Sequence, residues 1–251
     1  MTKLMKYEFR KTWITKVILL GITAAAEIAY LIALYTNHEN TMIGMAGLLT
    51  VLAVGGVLVI GLESVLTLHR DMNTKQGYML FMTPNSCYRI LGAKVLECAL
   101  SVLLTGAFYF ALGALDISLL LTKYGEINQL WEMIQSFLEG FTVNGQKITI
   151  DAVTLAAAAF SLLTGWILTI ITAYLADVIS AAVLNGKSYN GVISFALFLA
   201  LSWLTGWASR LLTGGINGTV PMMLAYGVVN LVLGAVMYVV TAQIMERKLS
   251  V

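Results

Sequence analysis

Residues 69–94, HRDMNTKQGYMLFMTPNSCYRILGAK, form the longest charged, proline-containing break between two long apolar runs of this chain. Four of the chain's fifteen basic residues lie in it: Arg70, Lys75, Arg89 and Lys94. Thr83-Pro84 is typical of a helix start, because threonine caps free backbone N–H groups and proline lacks the N–H that would have no partner there. Apolar residues flank this start on both sides. The stretch, here called the elbow, is therefore predicted to be a folded connection between two membrane spans.

The composition places the rest of the chain in a membrane. Of its 251 residues, 59% are hydrophobic and 11% are charged, and the mean hydropathy is +0.85. Soluble domains carry roughly 25% charged residues, so this chain has too few to solvate a globular surface. The two cysteines, Cys87 and Cys98, do not indicate a disulfide framework, and neither has a metal-ligand partner at a suitable spacing.

Hydropathy predicts an all-α membrane protein with a single domain, residues 1–251. Six apolar runs are long enough to cross roughly 30 Å of hydrocarbon as helices. They cover approximately residues 14–35, 42–68, 90–115, 152–177, 191–212 and 222–244. Residues 2–12 are basic and amphipathic, which favours a helix at the membrane interface over a flexible basic tail.

The basic residues predict the orientation of the spans, because they are more frequent in cytoplasmic loops. If the N-terminus is inside, eleven lysines and arginines lie on the cytoplasmic side and three on the outer side. This places both termini and the elbow in the cytoplasm. The long connection 116–151 is then outside.

That outer connection has a helical pattern of its own. Apolar residues recur at helical spacing between Ile127 and Phe141, and acidic and amide side chains lie between them. We therefore expect an extracellular amphipathic helix, acting either as a structural cap or as an outer gate. The Asn-Gly pair at 144–145 predicts a small hairpin of residues 141–143 and 148–150.

Charged residues inside the spans are the candidate functional side chains, because burying a charge in hydrocarbon is expensive. Glu27 is the deepest, and it either faces a polar cavity, pairs with a cation such as Arg210, or is a protonated structural carboxyl. Glu63 and Glu97 lie near Arg70 and Lys94 in sequence, which favours structural ion pairs over a proton relay.

The elbow and the six-span layout resemble bacterial type-2 ABC exporter permeases. In that family an acidic-polar segment is followed by a glycine and a hydrophobic residue, then by a proline at the start of a short coupling helix, then by a basic residue and a lysine. The matching residues here are Asp71, Gly77, Leu80, Pro84, Arg89 and Lys94. The closing MERKLSV tail is also similar, so the resemblance covers the whole chain.

The resemblance implies a permease subunit of an ATP-driven exporter in the bacterial plasma membrane. It implies two partner chains: a second permease copy or sister permease, and a separate ATPase subunit that holds ATP and Mg²⁺. The coupling contacts to that ATPase would come from Tyr78, Phe81, Met82, Thr83, Pro84, Asn85, Ser86, Tyr88 and Arg89. Substrates in such families include peptides, drugs, lipids and ions.

The residues themselves indicate no enzyme and no cofactor on this chain. Gly186-Lys187-Ser188 resembles the end of a phosphate-binding loop, but Ala181 stands where that loop requires its first glycine. One alternative is an ion-coupled secondary transporter that uses Glu27, although the sequence has neither an inverted repeat nor paired broken helices. A membrane-embedded enzyme is a further alternative, but no convergent set of polar residues supports it.

Cysteine labelling tests the orientation. On a cysteine-free background, a cysteine replacing Lys123 should react with an impermeant reagent in intact cells, and one replacing Lys75 should react only after the cells are opened. The opposite pattern would show that the positive-inside bias has been assigned to the wrong face.

Overall fold

The computed structural model describes residues 2–73, 86–124, 141–143, 146–148, 151–184 and 190–248. Those ranges contain seven α-helices and one two-stranded hairpin. The helices are α1 (Thr2–Lys11), α2 (Trp13–Tyr35), α3 (Glu39–Asn73), α4 (Cys87–Tyr124), α5 (Ala152–Leu184), α6 (Asn190–Thr213) and α7 (Thr219–Lys248). The strands are β1 (Phe141–Val143) and β2 (Gln146–Ile148). The proposed coupling residues between Tyr78 and Asn85, and the amphipathic helix expected between 126 and 140, lie outside the described residues.

Six of these helices, α2 to α7, are long and apolar enough to cross a membrane. The chain is therefore an all-α, multi-pass membrane protein, as predicted, and a helix also covers the expected interfacial segment at α1. Several helices continue beyond their apolar runs: α3 has 35 residues and α4 has 38. At 1.5 Å per residue, about 20 residues span the hydrocarbon, so both helices extend well past the length that hydropathy marks.

Local hydrogen bonds set the helix ends. After α2, Asn37 adopts a left-handed φ of 59°, and the N–H groups of Asn37 and His38 donate to the carbonyls of Leu34 and Ala33 at 3.3 and 3.1 Å. This is the Schellman pattern, in which asparagine replaces the usual glycine. Before α5, the hydroxyl and the backbone N–H of Thr154 donate to the Asp151 carboxylate, and these bonds hold its pKa below the usual range.

The hairpin follows from the Asn-Gly pair, with one correction. β1 covers the predicted residues, but β2 begins at Gln146, two residues earlier than expected. Val143 pairs with Gln146 and Phe141 with Ile148. Only two residues therefore separate the strands, which is the short connection that Asn-Gly favours, and a strand starting at Ile148 would have left a longer one.

The chain divides into two compact units. The first, here the N-terminal unit, contains Met1–Leu66 and Leu96–Ile127; the second, here the C-terminal unit, contains Thr67–Val95 and Asn128–Val251. A cluster of Ala26, Tyr30 and Leu49 forms the buried core of the N-terminal unit.

In the C-terminal unit, α5 and α7 pack closely through small residues. A Cβ atom added at Gly227 of α7 would lie far inside van der Waals contact with the Phe160 ring on α5. Ala157 is 2% exposed, and Gly165 leaves room for Asn230 of α7, whose Nδ2 would lie 3.4 Å from an added Cβ. The row Ala157, Ser161 and Gly165, predicted to pack helices together, thus lies beside a second small residue on α7.

Replacing Gly227 with alanine should lower the free energy of unfolding by about 1–3 kcal/mol, because the Phe160 ring must move. Gly234→Ala is the matched control on the same helix, since its added Cβ would meet Ile171 at an ordinary 3.6 Å. Thermal unfolding in one detergent compares the two. Adding Phe160→Leu to Gly227→Ala should recover part of the loss, and equal stability of the two alanine variants would contradict the close contact.

Candidate functional site

A buried ion pair joins α2 and α4 in the N-terminal unit. Lys16 Nζ lies 2.5 Å from Glu97 Oε1, and the two side chains are 13% and 5% exposed. The hydroxyls of Thr12 and Ser101 each donate to the same carboxylate oxygen at 2.9 Å. Lys16 also lies 3.8 Å from the centroid of the Phe9 ring. Both charges are thus paired and hydrogen-bonded, as a buried ion pair requires.

Nearness in sequence predicts structural ion pairs of Glu63 and Glu97 with Arg70 and Lys94, and for Glu97 the predicted partner is wrong. Its cation is Lys16 rather than Arg70 or Lys94. Glu63 accepts a hydrogen bond from the Thr15 hydroxyl at 2.5 Å. Thr15 and Lys16 are adjacent on α2, so both acidic side chains fasten the start of the first span to its neighbours in the N-terminal unit.

Glu27 has a carboxyl partner. Its carboxyl group is a close neighbour of the Asp116 carboxyl on α4. Glu27 Oε2 and Asp116 Oδ1 are buried, and neither meets an N–H or O–H donor from the described residues. Two carboxyl groups can hydrogen-bond only if one of them carries a proton. Two neighbouring carboxyl groups can therefore share a proton between these two spans.

Asp116 was missed because the apolar run of its span ends at residue 115. Hydropathy consequently places Asp116 at the start of the predicted outer connection 116–151. In the structure α4 continues to Tyr124, so Asp116 lies on a helix that packs within the same unit as α2. The apolar pattern continues beyond Asp116 through Ile117 and Leu119. This continuation indicates that the helix extends past residue 115 and includes Asp116.

The C-terminal unit holds two polar contacts beside the elbow. Lys94 Nζ lies 2.7 Å from Asp71 Oδ2, and the side chains are 2% and 7% exposed. His69 Nδ1 lies 2.6 Å from Asp177 Oδ1, and the Ser194 hydroxyl donates to the same oxygen at 3.3 Å. These contacts fix α3, α4, α5 and α6 to one another where the elbow begins and ends.

The described part of the elbow presents one anchored and one exposed side chain. Ser86 accepts the first hydrogen bonds of α4 from Arg89 and Ile90 through its carbonyl. The Tyr88 ring lies edge-on to Tyr238 at 6.3 Å, and the Tyr238 hydroxyl donates to the Tyr88 carbonyl at 2.5 Å. Arg89 is exposed. The proposed contacts of all three with an ATPase stay predictions.

Arg210 lies in the last turn of α6 and lines a cavity bounded by α5, α6 and α7. Among the described residues it forms no ion pair. Comparisons with protein-family models, curated proteins and solved structures found no match for this chain. No group of three or more His, Cys, Asp or Glu side chains within the described ranges could hold a metal ion.

Replacing Glu27 with glutamine should leave the free energy of unfolding nearly unchanged, because the amide can donate to the Asp116 carboxylate. Glu27→Ala should cost about 1–3 kcal/mol, since it removes the carboxyl group that can share a proton with the buried Asp116. Denaturant unfolding measures both. Infrared spectroscopy should show a protonated-carboxyl band that Glu27→Gln removes, and persistence of that band in full would contradict the shared proton.

Proposed function

We propose that this chain is the membrane-spanning permease subunit of an ATP-driven ABC exporter in the bacterial plasma membrane. A separate ATPase subunit, which binds ATP and Mg²⁺, docks on the cytoplasmic elbow. A second copy of this chain or a sister permease completes the translocation path. Both termini lie in the cytoplasm.

The buried Asp71–Lys94 ion pair is the observation that supports this proposal most. It joins residues on either side of the segment 74–85, so the two ends of the elbow are held together. Breaking a buried pair costs about 3–5 kcal/mol, and the contact is therefore stiff. A force applied to the elbow is passed to α3 and α4 together.

Two further contacts extend this coupling to the other spans of the C-terminal unit. His69 and Asp177 connect the elbow's start to α5, and Tyr88 and Tyr238 connect its end to α7. Movement of a docked ATPase would then shift several spans at once. ATP binding drives such a two-state change only if the ATPase binds the two permease conformations with different affinity.

An ion-coupled secondary transporter is the second candidate, and the Glu27–Asp116 pair favours it. A pair that holds one proton between two spans can release it when the surroundings change. The two candidates differ in energy source, because the first requires Mg-ATP hydrolysis in a partner subunit and the second requires an ion gradient. In the ABC exporter the carboxyl pair is a structural contact of the N-terminal unit.

Charge reversal at Arg89 tests the first candidate. The chain is purified with a tag from its native membrane, and Mg-ATP hydrolysis and the co-purified ATPase are measured together. Arg89→Glu should reduce recovery of the ATPase by roughly tenfold or more, because like charge at an interface opposes association. Arg247→Glu is the matched control, since Arg247 is exposed at the far end of α7 and outside the elbow.

The unfolding temperatures of both variants should match the parent, because neither side chain is buried. Absence of any Mg-ATP hydrolysis with the parent chain would exclude the ABC proposal. Equal loss of the ATPase in both variants would show that the effect is not specific to the elbow.

A further inference from the structure

A polar cavity beside Arg210 lies among the described spans of the C-terminal unit. Its volume is about 430 Å³, within the range of roughly 300–1,000 Å³ typical of small-molecule sites. Hydroxyl, amide and guanidinium groups dominate its lining. The polar lining residues are Thr169, Thr172, Ser202, Thr205, Ser209, Arg210, Tyr226 and Asn230.

Helix α6 has one polar and one apolar face. Ser202, Thr205, Gly206 and Ser209 recur at helical spacing along the cavity. Trp203, Trp207 and Leu211 lie on the other side and are 72%, 54% and 62% exposed. An exposed apolar face on a membrane span is a lipid-facing one, so the polar stripe faces away from the hydrocarbon.

Many of the cavity's hydrogen-bonding groups are held in place by their own unit. The hydroxyls of Thr169, Thr172 and Thr205 donate to backbone carbonyls of their own helices at 2.7–3.0 Å. Ser209 donates to Asn230 Oδ1 at 3.4 Å, and Gly165 provides the space for the Asn230 amide. These residues form a preorganised wall, because their rotamers are fixed before any ligand arrives.

Arg210 differs from Lys16 and Lys94, because its side chain is exposed and lies in the last turn of α6. Lys16 and Lys94 each have a carboxylate partner, whereas Arg210 forms no hydrogen bond or ion pair with the residues that the structure describes. No acidic side chain is among the cavity's described lining residues. An exposed guanidinium at the end of a span can bind an anion beside the cavity, and its planar fork matches a carboxylate or phosphate.

We infer that this cavity binds an oxyanion, a carboxylate or phosphate group carried by a small solute or by a lipid headgroup. Arg210 supplies the charge, and Ser209, Asn230 and Tyr226 supply neighbouring polar contacts. The hydroxyl-rich wall toward Thr172 accommodates a polar body. Binding requires no partner subunit, so it can be tested independently of the proposed transport function.

Gly206 offers a substitution that fills the site without disturbing the fold. It lines the cavity, and an added Cβ would meet no atom within 4 Å. Leucine at this position projects into the ligand space and also favours the helix. Gly191→Leu is the matched control, because Gly191 lies on the same helix, has equally open space and is not among the lining residues. Arg210→Gln with Arg247→Gln forms a second pair that removes charge.

The whole chain in nanodiscs of zwitterionic lipid is titrated separately with inorganic phosphate, short-chain phosphatidylglycerol and short-chain phosphatidylcholine, and the unfolding temperature is followed. Phosphatidylglycerol should stabilise the parent chain and both controls, while phosphatidylcholine should not. Gly206→Leu and Arg210→Gln should weaken the apparent affinity at least about tenfold, the effect of losing one charge-assisted hydrogen bond.

Stabilisation by inorganic phosphate as well would identify a free oxyanion as sufficient, and stabilisation by phosphatidylglycerol alone would identify a lipid headgroup. No stabilisation of the parent by either anion would overturn the inference. Equal stabilisation of Gly206→Leu and Gly191→Leu would also overturn it, because the ligand would then bind elsewhere. If Arg210→Gln fails to fold, the comparison of Gly206→Leu with Gly191→Leu still tests the inference.

Discussion

Hydrocarbon offers no water to polar groups, and the rest of this structure depends on that constraint. Polar side chains within a span are therefore stabilised mainly by partners in the protein itself. Lys16 and Glu97 stabilise each other as a pair, with the hydroxyls of Thr12 and Ser101 satisfying the same carboxylate. Most threonine hydroxyls return to the carbonyl one turn earlier, as Thr172 does to Leu168. Charged side chains in the spans therefore occur mostly in pairs that connect two helices, and a charged side chain without such a partner is unusual.

The same constraint explains which parts of the fold the sequence predicts. Apolar runs identify the six spans, because about 20 apolar residues are needed to cross the hydrocarbon. They do not identify helix ends, because a helix continues until caps such as Asn37 or Asp151 satisfy its terminal groups. The apolar run of the third span ends at residue 115, although its helix continues to Tyr124. Hydropathy alone therefore does not show that Asp116 lies on this helix near Glu27.

The partners of the candidate residues were harder to predict than the residues themselves. Glu97 and Lys16 are 81 positions apart, and Lys94 and Asp71 are 23 apart. Proximity in sequence pointed Glu97 to Lys94, but Lys94 belongs to the C-terminal unit and Glu97 to the N-terminal unit. Arg210 was recognisable as a charge near a span end. Its cavity was not, because three helices contribute the lining.

The polar sites of the spans fall into two physical classes. Asp71–Lys94 and Lys16–Glu97 are closed, because each charge has its counter-charge and further charge separation is expensive. Arg210 and the Glu27–Asp116 pair are open, because none of these side chains forms an ion pair with the described residues and an anion or a proton would complete them. Closed sites hold the helices that they connect rigidly together. The free energy of an open site depends instead on whether its anion or proton is bound. Only an open site can therefore bias a conformational equilibrium directly, through the species that it binds.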